Sequence, residues 1–278
     1  MKLKYLGTAA AEGTPGLFCQ CENCKRAMKL GGKNIRTRSQ ALVDDTLLID
    51  FPPDTFLHTL YHGLDITRIK SCIVTHSHSD HLYAPDLEMR KVNFAILPED
   101  APPFTIYADK SGYEAIRKEL NESNTQPERV QAVRIYPGKA FEVEGYSVLP
   151  VRAKHSPKTS PLVFVIEKDG KSIGYFHDTS LLPNESLAQL AQLTHPMKLV
   201  SLDCTEGTLP IDPKGHMNLR QCIQTRQQLI SIGAADENTI FILNHFSHNG
   251  ENTLYDDLCP IAEQEGFLVS YDGMELTF

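Results

Sequence analysis

The sequence predicts an α/β (α+β) protein in which two mixed sheets pack face to face with helices outside. Three observations lead to this prediction. Strands and hairpins followed by helices occur twice along the chain. The 278 residues are 41% hydrophobic, enough for a substantial core without disulfide support. No Pro-, Gly- or Ser-rich linker separates the two halves, so we expect a single domain over residues 1–278.

The first half of the chain alternates short strands with helices. Strands are predicted at 2–6, at 41–50 as two strands around Asp44-Asp45, and at 69–75, 104–108 and 130–136. Helices are predicted at 56–62 and 113–120. Segment 82–103 carries four prolines and has no regular pattern. We expect it to form a flap over whatever the neighbouring histidines bind.

The second half begins with two hairpins and then becomes helical. Glu144-Gly145 and Asp169-Gly170 are strong turn signals between strands predicted at 141–143, 146–151, 162–166 and 172–176. Helices at 184–193, 218–230 and 251–264 alternate with strands at 199–204 and 239–244. Residues 267–269 and 274–277 are expected to close the fold as a hairpin around Asp272-Gly273.

Composition narrows the class of partner and the compartment. The 27 Lys and Arg against 35 Asp and Glu give a net charge of −8, which does not favour nucleic acid as a partner. No apolar run approaches the roughly 18–20 residues that span a bilayer, and the first eight residues are strand-like. The sequence therefore predicts a cytoplasmic protein with no membrane partner, and it leaves a homodimer open.

Three histidines and a carboxylate crowd into six positions, His76-Ser77-His78-Ser79-Asp80-His81, directly after a predicted strand. Alternate residues leaving a strand point to one side, so His76 and His78 can share one ion. The turn that follows can present Asp80 and His81 to a second ion. The alternative is a solvated polar turn.

Two divalent ions need further ligands, and three later strand ends supply candidates. His155, Asp178 and His245 each follow a predicted strand. Singly, each is typical of a hydrogen-bonded structural residue or a helix cap. His177 competes with Asp178, but strand alternation turns it to the opposite face, so we interpret it as structural.

Three cysteines lie within six residues at Cys19, Cys21 and Cys24. Thiolates are ligands that zinc prefers, and an odd total of seven cysteines suits a reduced compartment better than a disulfide framework. A fourth ligand must come from elsewhere in the chain. The four other cysteines lie singly in apolar patterns and are predicted to be core residues.

The motif at 76–81 and the order of the later ligands resemble the metallo-β-lactamase superfamily over nearly the whole chain. The resemblance implies a four-layer αββα sandwich. It also implies that His76, His78 and His155 hold one ion, that Asp80, His81 and His245 hold the other, and that Asp178 bridges them.

The run Gly7-Thr8, Gly13, Pro15, the cysteine triplet and His248 further resemble the PhnP-type phosphodiesterases of the carbon-phosphorus lyase pathway. That resemblance implies a structural zinc on Cys19, Cys21, Cys24 and His248, within an N-terminal loop at about 13–34. It also places His216 as a general acid or phosphate contact and Asp80 in the catalytic set. The alternative for His216 is an ordinary loop residue before a helix.

The function implied by this resemblance is metal-dependent hydrolysis of a small phosphodiester, such as a cyclic sugar phosphate, by a bridging hydroxide on two ions. Manganese or zinc suits the catalytic His/Asp ligands, with iron as a further option. The alternatives are a ribonuclease Z-like nuclease, an enzyme like pyrroloquinoline-quinone biosynthesis protein B, and a noncatalytic binding protein stabilised by metal.

Overall fold

The computed structural model describes residues 1–278 and contains two seven-stranded sheets. The first sheet consists of β1 (Lys2–Gly7), β2 (Gln40–Val43), β3 (Leu47–Ile49), β4 (Ser71–Ile73), β5 (Phe104–Ala108), β6 (Val130–Arg134) and β14 (Glu275–Thr277). Its spatial order is β14-β1-β2-β3-β4-β5-β6. The pairs from β3 to β6 are parallel and the others antiparallel, so the sheet is mixed as predicted.

The second sheet has the same size and a matching mixture of directions. It consists of β7 (Phe141–Val143), β8 (Tyr146–Arg152), β9 (Leu162–Lys168), β10 (Lys171–Phe176), β11 (Leu199–Asp203), β12 (Ile240–Asn244) and β13 (Leu268–Val269). Its spatial order is β13-β12-β11-β10-β9-β8-β7. The pairs from β10 to β13 are parallel, which aligns the carboxyl ends of these strands.

Three hydrophobic cores separate four layers. Side chains of both sheets, such as Leu3, Ile49, Phe164 and Ile242, form the central core. A second core packs the other face of the second sheet against helices, and a third does so for the first sheet. The helices are α1 (Glu22–Leu30), α2 (Thr55–Tyr61), α3 (Lys110–Glu122), α4 (Asn184–Leu190), α5 (Leu219–Ser231) and α6 (Tyr255–Gln264). The predicted αββα sandwich is therefore confirmed.

The hairpin predictions from turn residues are largely confirmed. Asp44-Asp45, Glu144-Gly145 and Asp169-Gly170 all have positive φ at both turn positions, as a type I′ turn requires. The antiparallel pairs that flank them are β2 with β3, β7 with β8 and β9 with β10. A two-residue turn fixes the register of its two strands, which is why this local signal predicts well.

The predicted closing hairpin around Asp272-Gly273 is wrong. β13 pairs with β12 in the second sheet, whereas β14 pairs with β1 in the first. The Asp-Gly turn is present, with a hydrogen bond from the Met274 N–H to the Tyr271 carbonyl, but it carries the chain between sheets. The Asp-Gly pair predicts the turn correctly, but it does not determine which strand β13 or β14 pairs with.

The predicted flap at 82–103 does not form over the histidines, since none of its residues lines the cavity beside them. The segment forms a 3-10 helix at Ala84–Arg90 that packs near α3, and Arg90 donates to the carbonyls of Arg129 and Pro102. Leu82, Ala84 and Leu87 are buried in the third core. Segment 13–34, predicted as a loop, contains α1 and a 3-10 turn at Gly32–Asn34. None of the helices is long and apolar enough to cross a membrane.

Candidate metal centre

The proposed catalytic ligands meet where strands of both sheets end. The cluster 76–81 follows β4, whereas His155, Asp178 and His245 follow β8, β10 and β12. Asp178 and His245 have φ of 52° and 64°, a left-handed conformation that side-chain-bearing residues seldom adopt. Such strain persists where the surrounding structure enforces it, and functional sites are a common place for it.

Three histidines form the first part of the cluster. His76 Nε2 lies 2.8 Å from His78 Nδ1, and His155 Nε2 lies 3.2 Å from the same atom. His76 is fully buried, and the other two are partly exposed. The three nitrogens converge on one point, as the sequence predicts for a first ion.

Two histidines and two carboxylates form the second part. His81 Nε2 lies 3.3 Å from His245 Nε2 and 3.2 Å from Asp80 Oδ2. Asp178 Oδ2 contacts His81 and lies 3.1 Å from His245 Nε2, whereas Asp178 Oδ1 lies 3.6 Å from His155 Nε2. One carboxylate thus faces both parts of the cluster, the position predicted for a bridging ligand.

In three of the ligand histidines, Nδ1 is the outer nitrogen, which faces away from the cluster. A hydrogen bond from Nδ1 leaves the lone pair of Nε2 pointing into the cluster. His81 Nδ1 donates to Asp50 Oδ2 at 2.7 Å, and His155 Nδ1 donates to the Gly215 carbonyl at 3.0 Å. His245 Nδ1 donates to Thr205 Oγ1 at 2.9 Å, because that hydroxyl already donates to Asp203. With the outer nitrogen protonated, the neutral form of each ring presents an unprotonated Nε2 to the cluster.

In the neutral tautomers these inward lone pairs need a proton or a metal ion beside them. Without either, the two imidazole nitrogens at 3.3 Å would repel each other, and the buried Asp178 Oδ2 would have no hydrogen-bond donor. A buried carboxylate oxygen left without a partner is costly. Ions between the nitrogens and the carboxylates would remove both problems, so the side chains fit divalent metal.

Protonation and metal compete for the same atoms. Burial holds the pKa of His76 well below its usual range, so this ring is neutral and can act as a ligand. Burial acts in the same direction on His81, but the carboxylates of Asp178, Asp80 and Asp50 raise its pKa well above the ordinary value. A proton on His81 Nε2 would occupy the position that the cluster offers to a cation.

His216 lies beside the cluster on a loop before α5. Its Nδ1 donates to Asp203 Oδ2 at 3.0 Å and lies 3.5 Å from Asp178 Oδ1. Burial acts against protonation, but Asp203 raises the pKa of His216 to about 9. The Gly215 carbonyl next to it holds His155, so this loop contributes to both the ligand cluster and its side wall.

Sequence reasoning missed the carboxylates that hold the ligands. Asp50 follows β3 with φ of 67° and binds His81, whereas Asp203 ends β11 and binds His216. Both are fully buried. The signal that would have found them is the one that found Asp178, a carboxylate at the end of an apolar strand. Thr75 and Thr205, which contact His76 and His245, carry no such signal.

The cysteine triplet and His248 form a second cluster, as the resemblance implies. His248 Nδ1 lies 3.6 Å from Cys19 Sγ and 3.5 Å from Cys21 Sγ, and Cys24 completes the group. Burial raises the pKa of Cys21, but hydrogen bonds from the Cys24 backbone and from the neighbouring thiols and His248 outweigh it and lower the pKa to about 6. A thiol that ionises readily is a good metal ligand.

The family model of the Beta-lactamase superfamily domain matches residues 46–242, which is more than half of the chain. The chain belongs to the metallo-β-lactamase superfamily. The matched range begins before β3 and includes the cluster at 76–81, His155, Asp178 and His216. No curated protein matches the sequence significantly.

Several solved structures share the fold at low identity. A diphosphatase from the PhnP family is 20% identical with a TM-score of 0.73, covering 100% of this chain and 97% of that one. Zn(2+)-bound PqqB from Methylobacterium extorquens is 19% identical with a TM-score of 0.77 and full coverage of both chains. Human tRNase Z, short form, is 16% identical with a TM-score of 0.67, covering 100% and 99%.

In this superfamily member the ligand cluster opens into a cavity of about 240 Å³. Ligands form the floor, and the wall comes from Ala10, Ala11, Glu12, Thr205, Glu206, His216, Ser247 and Asn249. The lining contains no Lys, Arg, Phe or Tyr, and its hydrophobic residues are both alanine. The cavity therefore suits a small polar molecule.

Proposed function

We propose that this protein is a metal-dependent phosphodiesterase that acts on small molecules. The observation that carries the proposal is the convergence of five histidines and two aspartates on a polar cavity, with Asp178 facing both halves of the ligand set. Divalent ions held there supply the water-activating and phosphoryl-polarising chemistry of two-metal hydrolases.

The chain's own residues prepare the site for that chemistry. Asp50, Thr205 and the Gly215 carbonyl fix the tautomers of three ligand histidines, so the rings need not reorient when metal binds. His216 lies at the cavity wall, where its ring can donate a proton to the leaving oxygen or hydrogen-bond the phosphate.

A small substrate is favoured over a nucleic acid. Proteins that grip RNA or DNA need Lys and Arg near the phosphates, and this cavity is lined by none. The net charge of −8 points the same way. We propose that the protein acts on a small diester in the cytoplasm and uses zinc or manganese as its catalytic ions. We also propose a separate structural zinc on Cys19, Cys21, Cys24 and His248.

The test is hydrolysis of bis(p-nitrophenyl) phosphate by protein loaded with zinc or manganese. We expect turnover that chelation abolishes and that added metal restores, and slower cleavage of p-nitrophenyl phosphate, a monoester. Faster cleavage of a lactam, lactone or thioester than of any diester would contradict the proposal. The matched inactive control is Asp178→Ala, which removes the carboxylate shared by both halves of the site.

A further inference from the structure

The cavity lining carries two carboxylates, Glu12 and Glu206, that are not among the metal ligands and that the proposed chemistry does not use. Glu12 precedes the cysteine triplet, and Glu206 follows the β11 end at Asp203. Both residues line the same cavity, and burial raises the pKa of Glu206, whereas His216 acts in the opposite direction. No Lys or Arg lines the cavity to neutralise them.

The Glu12 carboxylate is held by two side chains of the loop at 247–249. Asn249 Nδ2 donates to Glu12 Oε1 at 3.1 Å, and Ser247 Oγ donates to the same oxygen at 3.4 Å. Its turn is fastened by hydrogen bonds from the Ala10 N–H to the Phe246 carbonyl and from Arg38 Nε to the Ala11 carbonyl. Glu12 Oε2 has only the long 3.5 Å contact with Ser247, so this oxygen retains capacity to accept a hydrogen bond.

The two metal clusters support this arrangement together. Ser247 lies between His245 of the catalytic cluster and His248 of the cysteine cluster, and Asn249 directly follows His248. Asn23 Nδ2 of α1 donates to the His248 carbonyl at 2.9 Å and ties the same loop to the cysteine segment. Glu12 is therefore a positioned group and not a freely moving surface carboxylate.

We infer that Glu12 and Glu206 select substrates by the alcohol esterified to the phosphate, accepting hydrogen bonds from its hydroxyl or ammonium group and repelling a further negative charge. The inference rests on the proposed phosphodiesterase function. A carboxylate accepts hydrogen bonds and donates none, so its partner must carry donors. Anionic groups on the alcohol would meet the two carboxylates, which no Lys or Arg of the lining neutralises, and the lining has no Phe or Tyr on which a nucleobase could stack.

The experiment compares four p-nitrophenyl phosphodiesters that share a leaving group and differ in the retained alcohol: methyl, 2-hydroxyethyl, 2-aminoethyl and 2-carboxyethyl. For the wild-type holoenzyme we expect kcat/KM for the best donor ester to exceed that of the methyl ester by at least about tenfold, with the carboxyethyl ester slowest. A lead of the aminoethyl ester identifies an ammonium group as the preferred donor. A lead of the hydroxyethyl ester identifies a hydroxyl when the product is open hydroxyethyl phosphate, because attack by the ester's own hydroxyl would instead give a cyclic phosphate.

Glu12→Gln and Glu206→Gln keep the side-chain shape and remove the charge. Each is expected to reduce the ratio of aminoethyl to carboxyethyl kcat/KM by about tenfold, with metal content and circular dichroism showing that the protein is folded. Glu128→Gln, at an exposed glutamate before β6, is the matched control and should keep the wild-type ratios.

The outcomes separate the inference from the function on which it rests. If wild-type holoenzyme cleaves none of the four esters, the proposed phosphodiesterase function is wrong. If it cleaves them all at similar rates, or the carboxyethyl ester fastest, the function stands and the inference is overturned. The relative kcat/KM values of the wild-type enzyme for the four esters are therefore a test that needs no variant. Unchanged aminoethyl to carboxyethyl ratios in both folded glutamine variants would also overturn the inference.

Discussion

His216 shows how a single side chain acquires a role from its contacts. Its Nδ1 is bound to Asp203, a fully buried carboxylate that also accepts hydrogen bonds from the backbone N–H groups of Thr205 and Met217. Asp203 therefore connects the end of β11 to the loop before α5 and fixes the His216 ring. A ring held in this way at a cavity wall can donate a proton without being a metal ligand.

His216→Ala should retain metal at both clusters and lose activity by roughly 100- to 10,000-fold. The loss should be greatest for diesters with alkoxide leaving groups, which need a proton, and smallest for p-nitrophenolate, which does not. The measurements are kcat across a leaving-group series and metal content. The control is His195→Ala, at an exposed histidine of the loop between α4 and β11.

A uniform loss across leaving groups would assign His216 to phosphate contact. Wild-type rates on every diester would make it an ordinary loop residue. Loss of catalytic metal from the variant would make it a ligand.

Helix α1 illustrates how one element couples the cysteine cluster to the fold. Its N-cap is Cys21, whose Sγ accepts a hydrogen bond from the Cys24 N–H at 3.4 Å, so a proposed zinc ligand also starts the helix. Arg26, one turn on, makes a two-fold ion pair with Asp257 of α6. That pair is partly exposed and contributes little, so we expect the Asn23 hydrogen bond to the His248 carbonyl and a metal bound to the cysteines to supply most of the attachment.

Cys21→Ser isolates the metal contribution, because serine is itself a good N-cap and preserves the helix start. We expect the variant to lose one zinc and to melt at a lower temperature, by roughly 2–4 °C for each kcal/mol of stability lost. Metal analysis and calorimetry measure the two effects. Asp178→Ala should instead lose catalytic metal and activity while the fold survives.

The control for that comparison is Cys259→Ser, at a half-exposed cysteine of α6 outside both clusters, which should keep full metal content. Full zinc content and an unchanged melting temperature in Cys21→Ser would remove the structural-zinc assignment.

At the scale of the whole molecule, a polar network joins the two sheets across the central core. Tyr5 of β1 and Ser201 of β11 are hydrogen-bonded at 2.7 Å, and His177 Nε2 lies 2.7 Å from the same serine oxygen. Asn244 Nδ2 donates to His177 Nδ1 at 3.2 Å, which leaves Nε2 to donate to Ser201. His177 is thus structural, as strand alternation predicts, and it lies outside the ligand cluster.

Ser201→Ala should lower the free energy of unfolding by about 1–3 kcal/mol, because the buried Tyr5 hydroxyl and His177 N–H would both lose their partner. Urea denaturation with matched metal content measures this loss. Ser231→Ala, at an exposed serine at the end of α5, should change stability by less than about 0.5 kcal/mol. An equal effect of the two substitutions would show that the network contributes no stability.

The sequence by itself determined the features that depend on neighbouring residues. Ligand types at strand ends, three turns and most helices follow from local spacing, because the periodicity of a strand or helix fixes which neighbours share a face. His76, His78, Asp80 and His81 could be identified for this reason. The cysteine triplet could likewise be interpreted as a metal site from its spacing, whereas its fourth ligand, His248, came only from the family resemblance.

The tertiary structure decided which distant residues meet. Asp50 reaches His81, Asp203 reaches His216, and Glu12 lies beside Asn249 only because the sheet order brings those strand ends together. The same cause placed β13 and β14 in different sheets despite an Asp-Gly turn between them. Local signals carry no information on strand partners far along the chain, since those are selected by burial of both sheet faces in the shared core.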